Sequence, residues 1–212
     1  LVGDWMPITI LIQEDDLKFV NKTLEYGLSG TNGLWNVVEI KDFNEDGKID
    51  IIAGNAGTNF KWKPSITKPV KMYLDDFDGN KQPDPIIFYD FFGNYVPFSS
   101  KDKLDKQLPF LKKKFPNYNN FSKINDIKSL TGKGETDILE IKYIYDLESS
   151  IFINEEKGFK KYALPQSAQL SNIEDFKFLK NSNDLIYVGN YSKYVTELGF
   201  SNANPGGFLF DL

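Results

Sequence analysis

The chain has 212 residues, 41% hydrophobic and 15% aromatic, enough to bury a sizeable core. It contains no cysteine and no histidine, and all 25 basic residues are lysine, which excludes disulfides, thiolate metal sites, cysteine nucleophiles, His-based triads and bidentate guanidinium recognition of phosphate. A net charge of −5 and a pI near 4.9 argue against sequence-independent nucleic-acid binding, and no apolar run approaches the roughly 18 residues of a membrane helix.

The chain starts at Leu1, without Met and inside a strand-like segment, and no signal peptide is visible. It is therefore expected to be a piece of a longer protein. Residues 1–12 read as two short strands around Asp4-Trp5-Met6-Pro7, residues 17–20 as another, and Glu25 to Gly33 as a polar, Gly-rich loop. Trp5 is expected to pack rather than to form a ligand platform. Residues 34–41 alternate as an in/out strand.

That strand leads into Asp42-Phe43-Asn44-Glu45-Asp46-Gly47-Lys48-Ile49-Asp50. Oxygen-bearing side chains fall at positions 1, 3, 5 and 9 of this loop, and glycine stands at position 6. Asp42, Asn44 and Asp46 converge on one point, Gly47 permits the turn, Lys48 offers its carbonyl and Asp50 closes the cage. Hard oxygens in that number suit Ca²⁺, which takes roughly 6–8 of them. An EF-hand starts the same way but needs a Glu at position 12 and flanking helices; Ala53 stands there, and Ile51-Ile52-Ala53-Gly54 reads as buried strand. The alternative is an acidic, Gly-containing hairpin turn that binds nothing; the full spacing, with Gly47 at position 6 and Asp50 at position 9, favours calcium.

Gly57 to Pro69 is irregular. Trp62, between Lys61 and Lys63, is expected to cover a sheet edge; exposed, it would stack on a sugar. Residues 70–76 and 85–90 read as the next strand pair around a second loop, Asp76-Phe77-Asp78-Gly79-Asn80-Lys81-Gln82-Pro83-Asp84. Asp76, Asp78, Asn80 and Asp84 take positions 1, 3, 5 and 9, with Gln82 at the carbonyl position. Glycine stands at position 4 and Lys81 at position 6, so this turn is expected to be made differently or under strain. The second loop starts 34 residues after the first, an interval that signals a repeat architecture.

Gly93-Asn94 reads as a hairpin turn and Tyr95 to Phe98 as its return strand. Residues 99–122 break the pattern. Ser99 and Asp102 have capping-box spacing, and Leu104, Leu108, Leu111 and Phe115 follow a helical period, with Pro109 as a kink and Pro116 as a stop. Its lysines (Lys101, Lys103, Lys106, Lys112, Lys113, Lys114) are expected to form a solvated face rather than a docking site. Phe121 to Gly134 holds a weak signal for a further short helix. Strands follow at 137–145, 149–154 and 159–163. A third acidic loop starts at Asp175-Phe176, but Lys177 and Leu179 replace ligands and Asp184 arrives one position late, so this loop is expected to hold no metal. Residues 184–190 are its strand; Asn204 to Gly207 is a turn and Phe208 to Phe210 a final strand.

These loops resemble the calcium loops of FG-GAP/VCBS repeats, the blades of integrin-α-type β-propellers, with the nearest likeness to bacterial secreted members. The matching pieces are Leu34-Trp35-Asn36-Val37-Val38, Gly54-Asn55-Ala56-Gly57, Pro69-Val70-Lys71-Met72-Tyr73 and Tyr187-Val188-Gly189-Asn190, with Val2-Gly3-Asp4 as a blade tail. The resemblance implies an all-β fold: residues 1–212 as one partial β-propeller of about three to four blades, with residues 99–122 as a helical insertion between blade strands. It implies Ca²⁺ as cofactor and an extracytoplasmic, secreted or cell-surface location. Its partner would be a protein or glycan ligand, and exposed blade edges would invite self-association. The alternative is a polysaccharide-active hydrolase or lyase using Asp90, Asp102 and Glu140, although their spacing shows no pair. The sequons at Asn21, Asn120 and Asn190 carry no meaning in a bacterial protein.

Overall fold

The computed structural model describes residues 1–179, 182 and 184–210. The first stretch forms β1 (Asp4–Met6), β2 (Leu11–Asp15), β3 (Lys18–Asn21), β4 (Gly33–Leu34), β5 (Val37–Lys41) and β6 (Asp50–Gly54). The middle carries β7 (Val70–Asp75), β8 (Asp84–Phe91) and β9 (Asn94–Pro97), then α1 (Lys101–Gln107), α2 (Leu111–Lys114), α3 (Tyr118–Phe121), α4 (Ile127–Thr131) and β10 (Glu140–Ile144). The last stretch supplies β11 (Ser150–Glu155), β12 (Gly158–Ala163), β13 (Ile173–Phe178), β14 (Leu185–Gly189) and β15 (Gly207–Leu209). The chain is mostly β, and its sheets are open. Among the described residues no helix is long and apolar enough to cross a membrane.

The chain divides into two compact units, Leu1–Lys63 with Ile144–Leu212, and Pro64–Tyr143. The first is built around a four-stranded sheet in the order β12-β11-β6-β5. The β5–β6 and β11–β12 hairpins are therefore partners, although the whole second unit lies between them in sequence. Both faces of this sheet are covered, which is why β6 after Asp50 reads as an unbroken apolar run and all five of its residues are buried. Val37, Ile52, Ile151 and Ile153 pack with Phe176, Leu185, Tyr187 and Leu209 of the three-stranded sheet β13-β14-β15. On the other face Val38, Ile51, Ala53, Phe152 and Phe159 pack with Ile8, Leu28 and Trp35.

Two strand ends explain the recurring Gly-Asn. A Cβ on Gly54 would stand 2.8 Å from the Ile173 carbonyl, and one on Gly189 would meet the Asn172 carbonyl at 1.7 Å, so only glycine lets the neighbouring backbone approach. Asn55 follows, fully buried; its Oδ1 accepts from the backbone of Leu34 (3.0 Å) and its Nδ2 donates to the Asp146 carbonyl (3.2 Å). Gly3 has no such neighbour; the atoms nearest its Cβ position belong to Met6. Trp62 is buried at 3% exposure against Phe60 and Trp5, so it packs and offers no exposed sugar platform.

The second unit is a four-stranded sheet in the order β10-β7-β8-β9 with a helical layer over one face. The fourth strand pairs with β7, not with β9, which differs from a simple up-and-down blade. Tyr73, Ile86 and Phe88 meet Leu104, Leu108, Leu111, Phe115, Ile127 and Leu130 in one cluster. The helical insertion runs past residue 122, to Thr131. Asp126 forms a capping box with Ser129, and Gly132 closes α4 in the left-handed region. Ser100, not Ser99, caps α1, accepting from the Lys103 amide. Pro109 divides α1 from α2 outright, because it clashes with the preceding turn and lacks a donor. The turn after β8 is Phe92-Gly93, one residue earlier than expected, with Phe91 paired to Asn94.

Leu108 is fully buried at the centre of the helix–sheet cluster. Leu108→Ala should therefore cost about 2–5 kcal/mol, from lost apolar transfer plus the cavity left behind. Urea denaturation measures this as a lower midpoint with an unchanged slope.

Candidate metal centre

The two acidic loops fold alike. Each bridges a hairpin whose last pair joins position 0 to position 9, Lys41 opposite Asp50 and Asp75 opposite Asp84. In each, the carboxylate at position 1 accepts the amides of positions 5 and 6: Asp42 from Asp46 (3.1 Å) and Gly47 (2.8 Å), Asp76 from Asn80 (3.0 Å) and Lys81 (2.9 Å). Position 3 accepts from position 5, Asn44 from Asp46 (3.2 Å) and Asp78 from Asn80 (3.0 Å). Position 5 accepts from position 7, Asp46 from Lys48 (2.9 Å) and Asn80 from Gln82 (2.7 Å). Position 9 reaches back to position 2, Asp50 to Phe43 (2.9 Å) and Asp84 to Phe77 (3.3 Å).

This bonding pattern bends both loops at the same places. Positions 4 and 6 have positive φ in each: Glu45 (58°) and Gly47 (84°) in the first, Gly79 (82°) and Lys81 (68°) in the second. The displaced glycine therefore does not change the turn. Each loop puts glycine at one left-handed position and strains an ordinary residue at the other.

The loops differ in how their oxygens are gathered. One oxygen each from Asp76, Asp78 and Asp84 lie within 4.8 Å of one another, the one such acidic group among the described residues. In the first loop Asp50 is fully buried, and its second oxygen accepts from the Asn154 amide of β11 at 2.7 Å. The Lys48 ammonium sits 3.9 Å from the Asp46 carboxylate. The oxygens the second loop brings together are those of the three carboxylates; Asn80 and Gln82 stand at positions 5 and 7 of the same loop. A carboxylate has about four lone-pair sites; Asp76 uses three, to Gly79, Asn80 and Lys81, and Asp78 and Asp84 keep more. The set fits a hard divalent cation.

Charge is distributed unevenly over the three acids. Backbone amides, that of Lys81 first, hold the Asp76 carboxyl below its ordinary value, with Lys133 assisting. Burial pushes Asp84 up, and the charges of Asp78 and Asp76 add to that. On acidification Asp84 therefore takes a proton before Asp76 does.

Three contributors to the second loop's surroundings have no local sequence signal. Gln107 of α1 bonds to Asp84 and donates to the Pro85 carbonyl at 3.1 Å. Lys133 places its ammonium 3.2 Å from the Asp76 carbonyl and 3.0 Å from Asp75, whose carboxylate is nearly buried. All three come from outside the nine-residue motif, and two of them lie beyond its hairpin.

The third loop does not start at Asp175. That residue lies inside β13 opposite Val188, and pairing continues to Phe178 opposite Leu185. Phe176 in the core sets this register. The turn then begins at Leu179, whose amide donates to the Asp184 carbonyl at 2.9 Å; residues 180, 181 and 183 lie outside the described set. The carboxylates considered for catalysis lie on three separate elements: Asp90 on β8 pairs with Lys68 (3.1 Å), Glu140 on β10 with Lys142 (3.8 Å), and Asp102 on α1 engages the Tyr118 hydroxyl.

No protein-family model matches the chain, and neither does any curated protein or solved structure.

If the two turns share one backbone, they should respond alike to exchange of residue type at positions 4 and 6. Lys81→Gly and Glu45→Gly should be neutral or stabilising by up to about 1 kcal/mol, because they remove left-handed strain. Gly79→Ala and Gly47→Ala should each destabilise by about 1–2 kcal/mol; thermal denaturation of the four variants checks the pattern.

Proposed function

We propose that this chain is a calcium-binding, propeller-type module that binds a protein or glycan outside the cytoplasm, and is not an enzyme. One observation carries the cation reading. Two nine-residue loops repeat the same hydrogen bonds and strand register, and the second draws three carboxylates together. Ionised acids at that spacing repel one another, and a bound divalent cation relieves the repulsion. Calcium suits the set better than magnesium, which demands near-octahedral geometry and gives up water reluctantly.

The blade reading draws support from the sheet β12-β11-β6-β5, an up-and-down antiparallel order with both faces covered. Open outer strands such as β5 and β12 fit self-association through sheet edges. The location outside the cytoplasm and the choice of protein or glycan rest on the family resemblance alone. Extracellular modules hold calcium with Kd on the order of 10⁻⁴–10⁻³ M.

Calorimetric titration of metal-stripped protein tests the reading. Two calcium sites are expected, and Asp78→Ala should remove one. At tenfold excess over Kd each site should add about 1.4 kcal/mol of stability. No heat of binding and an unchanged melting temperature would overturn it. The pH dependence has a defined sign. Protonation of Asp84 competes with the cation, so affinity should fall as pH drops, starting above the ordinary aspartate value of 3.8 because Asp84 is raised. Affinity measured from pH 7 downward checks this, and Asp84→Asn should flatten the dependence.

A further inference from the structure

We propose that the helical layer of the second unit, together with the Phe91-Phe92 hairpin tip, docks onto an anionic phospholipid surface. Between Lys101 and Lys128 eight lysines stand against three aspartates, and of the three only Asp105 is buried. Asp105 forms a buried pair with Lys101 at 2.5 Å, Asp126 caps α4, and Asp102 engages the Tyr118 hydroxyl. Lys106, Lys112, Lys113, Lys123 and Lys128 are exposed and have no carboxylate partner among the described residues. The positive charge is therefore offered outward. The second unit carries 13 lysines and 11 acidic residues, whereas the rest of the chain carries 12 lysines and 19 acidic residues. The basic surface thus runs against the acidic character of the whole.

Phe92 is 90% exposed and Phe91 48%, their rings edge to face at 4.7 Å. The two-residue turn Phe92-Gly93 has positive φ at both positions, the hairpin type that prefers Asn or Asp first. Phenylalanine there serves neither turn propensity nor burial. A cleft of about 550 Å³ joins this tip to the helical layer, lined by Phe91, Asn94, Val96, Lys123 and Ile124 among others. Lys123 and Ile124 follow directly on α3, which packs on α2 through Phe121 and Phe115. Phe110, between Lys106 and Lys112, is also partly exposed.

A soluble polyanion would engage the lysines and leave Phe92 in water. A lipid surface takes both: headgroup phosphates meet the ammonium groups, while the aromatic tip enters the interfacial zone. The inference does not depend on the cation loops, and the test is run in EGTA so that no divalent ion links a carboxylate to a phosphate.

The full chain is sedimented with vesicles of phosphatidylglycerol and phosphatidylcholine, and with vesicles of phosphatidylcholine alone. Partitioning to the anionic vesicles is expected to be strong at low salt and to weaken as salt rises. Lys112→Gln with Lys113→Gln should weaken it about 25-fold, at about fivefold per lysine, and Phe92→Ser about tenfold. All three positions are exposed, so melting temperatures should match the parent chain and show that the variants fold. Absence of binding to anionic vesicles, or equal binding to neutral ones, would overturn the proposal. So would a Phe92→Ser chain that binds like its parent, or binding to dextran sulfate in solution without binding to vesicles.

Discussion

Asp50 holds together a sheet that the chain leaves and re-enters. Its carboxylate is fully buried at the base of the first loop, with one oxygen on the Phe43 amide and the other on the Asn154 amide, 104 residues away. A buried carboxylate is tolerated only when hydrogen-bonded, and here its two bonds set both the turn and the approach of β11 to β6. Phe43, pinned by the first bond, points into the core between the two sheets. Asp84 occupies the corresponding place in the second unit. It accepts from Phe77 and is met by Gln107 of α1, so that loop is tied to the helical layer in the way the first is tied to β11. In both units the last acidic residue of the motif holds its own turn and a partner from a distant element.

That double duty explains why the loops keep one shape with different occupancy of their oxygens. Asp50 spends its second oxygen on β11, and Asp42, Asp46 and Asp50 are not gathered as Asp76, Asp78 and Asp84 are. Both loops nonetheless accept left-handed strain at an ordinary residue, Glu45 or Lys81. Strain of that kind persists where the surroundings determine the backbone, and it concentrates at functional loops. The first carboxylate of each loop supplies that determination by collecting the amides on either side of the strained positions.

Much of this was legible in local chemistry. The apolar run Ile51 to Gly54, the oxygen spacing of both loops, and the stop at Pro116 follow from short-range rules, and the strands and helices appear close to where those rules put them. The misses share a cause, since each depends on residues distant in sequence. Pairing of β6 with β11 spans an inserted unit, and return of β10 to β7 depends on how four short helices cover a sheet face. Gln107 and Lys133 reach the second loop from the helical layer and its exit. The frame at Asp175 failed because burial of Phe176 extends the strand past the apparent loop start. Lys81 takes its positive φ under the strain its position implied, and the position-1 carboxylate imposes it.

The central claim is that two loops of different sequence form one kind of cation cage. Anomalous diffraction from crystals soaked in a lanthanide, a trivalent ion with calcium-like oxygen preference, tests it most directly. The account predicts a peak inside each loop, among Asp42, Asn44, Asp46 and Asp50 and among Asp76, Asp78, Asn80 and Asp84. Peaks at neither loop, with ions bound only to scattered surface carboxylates, would contradict it.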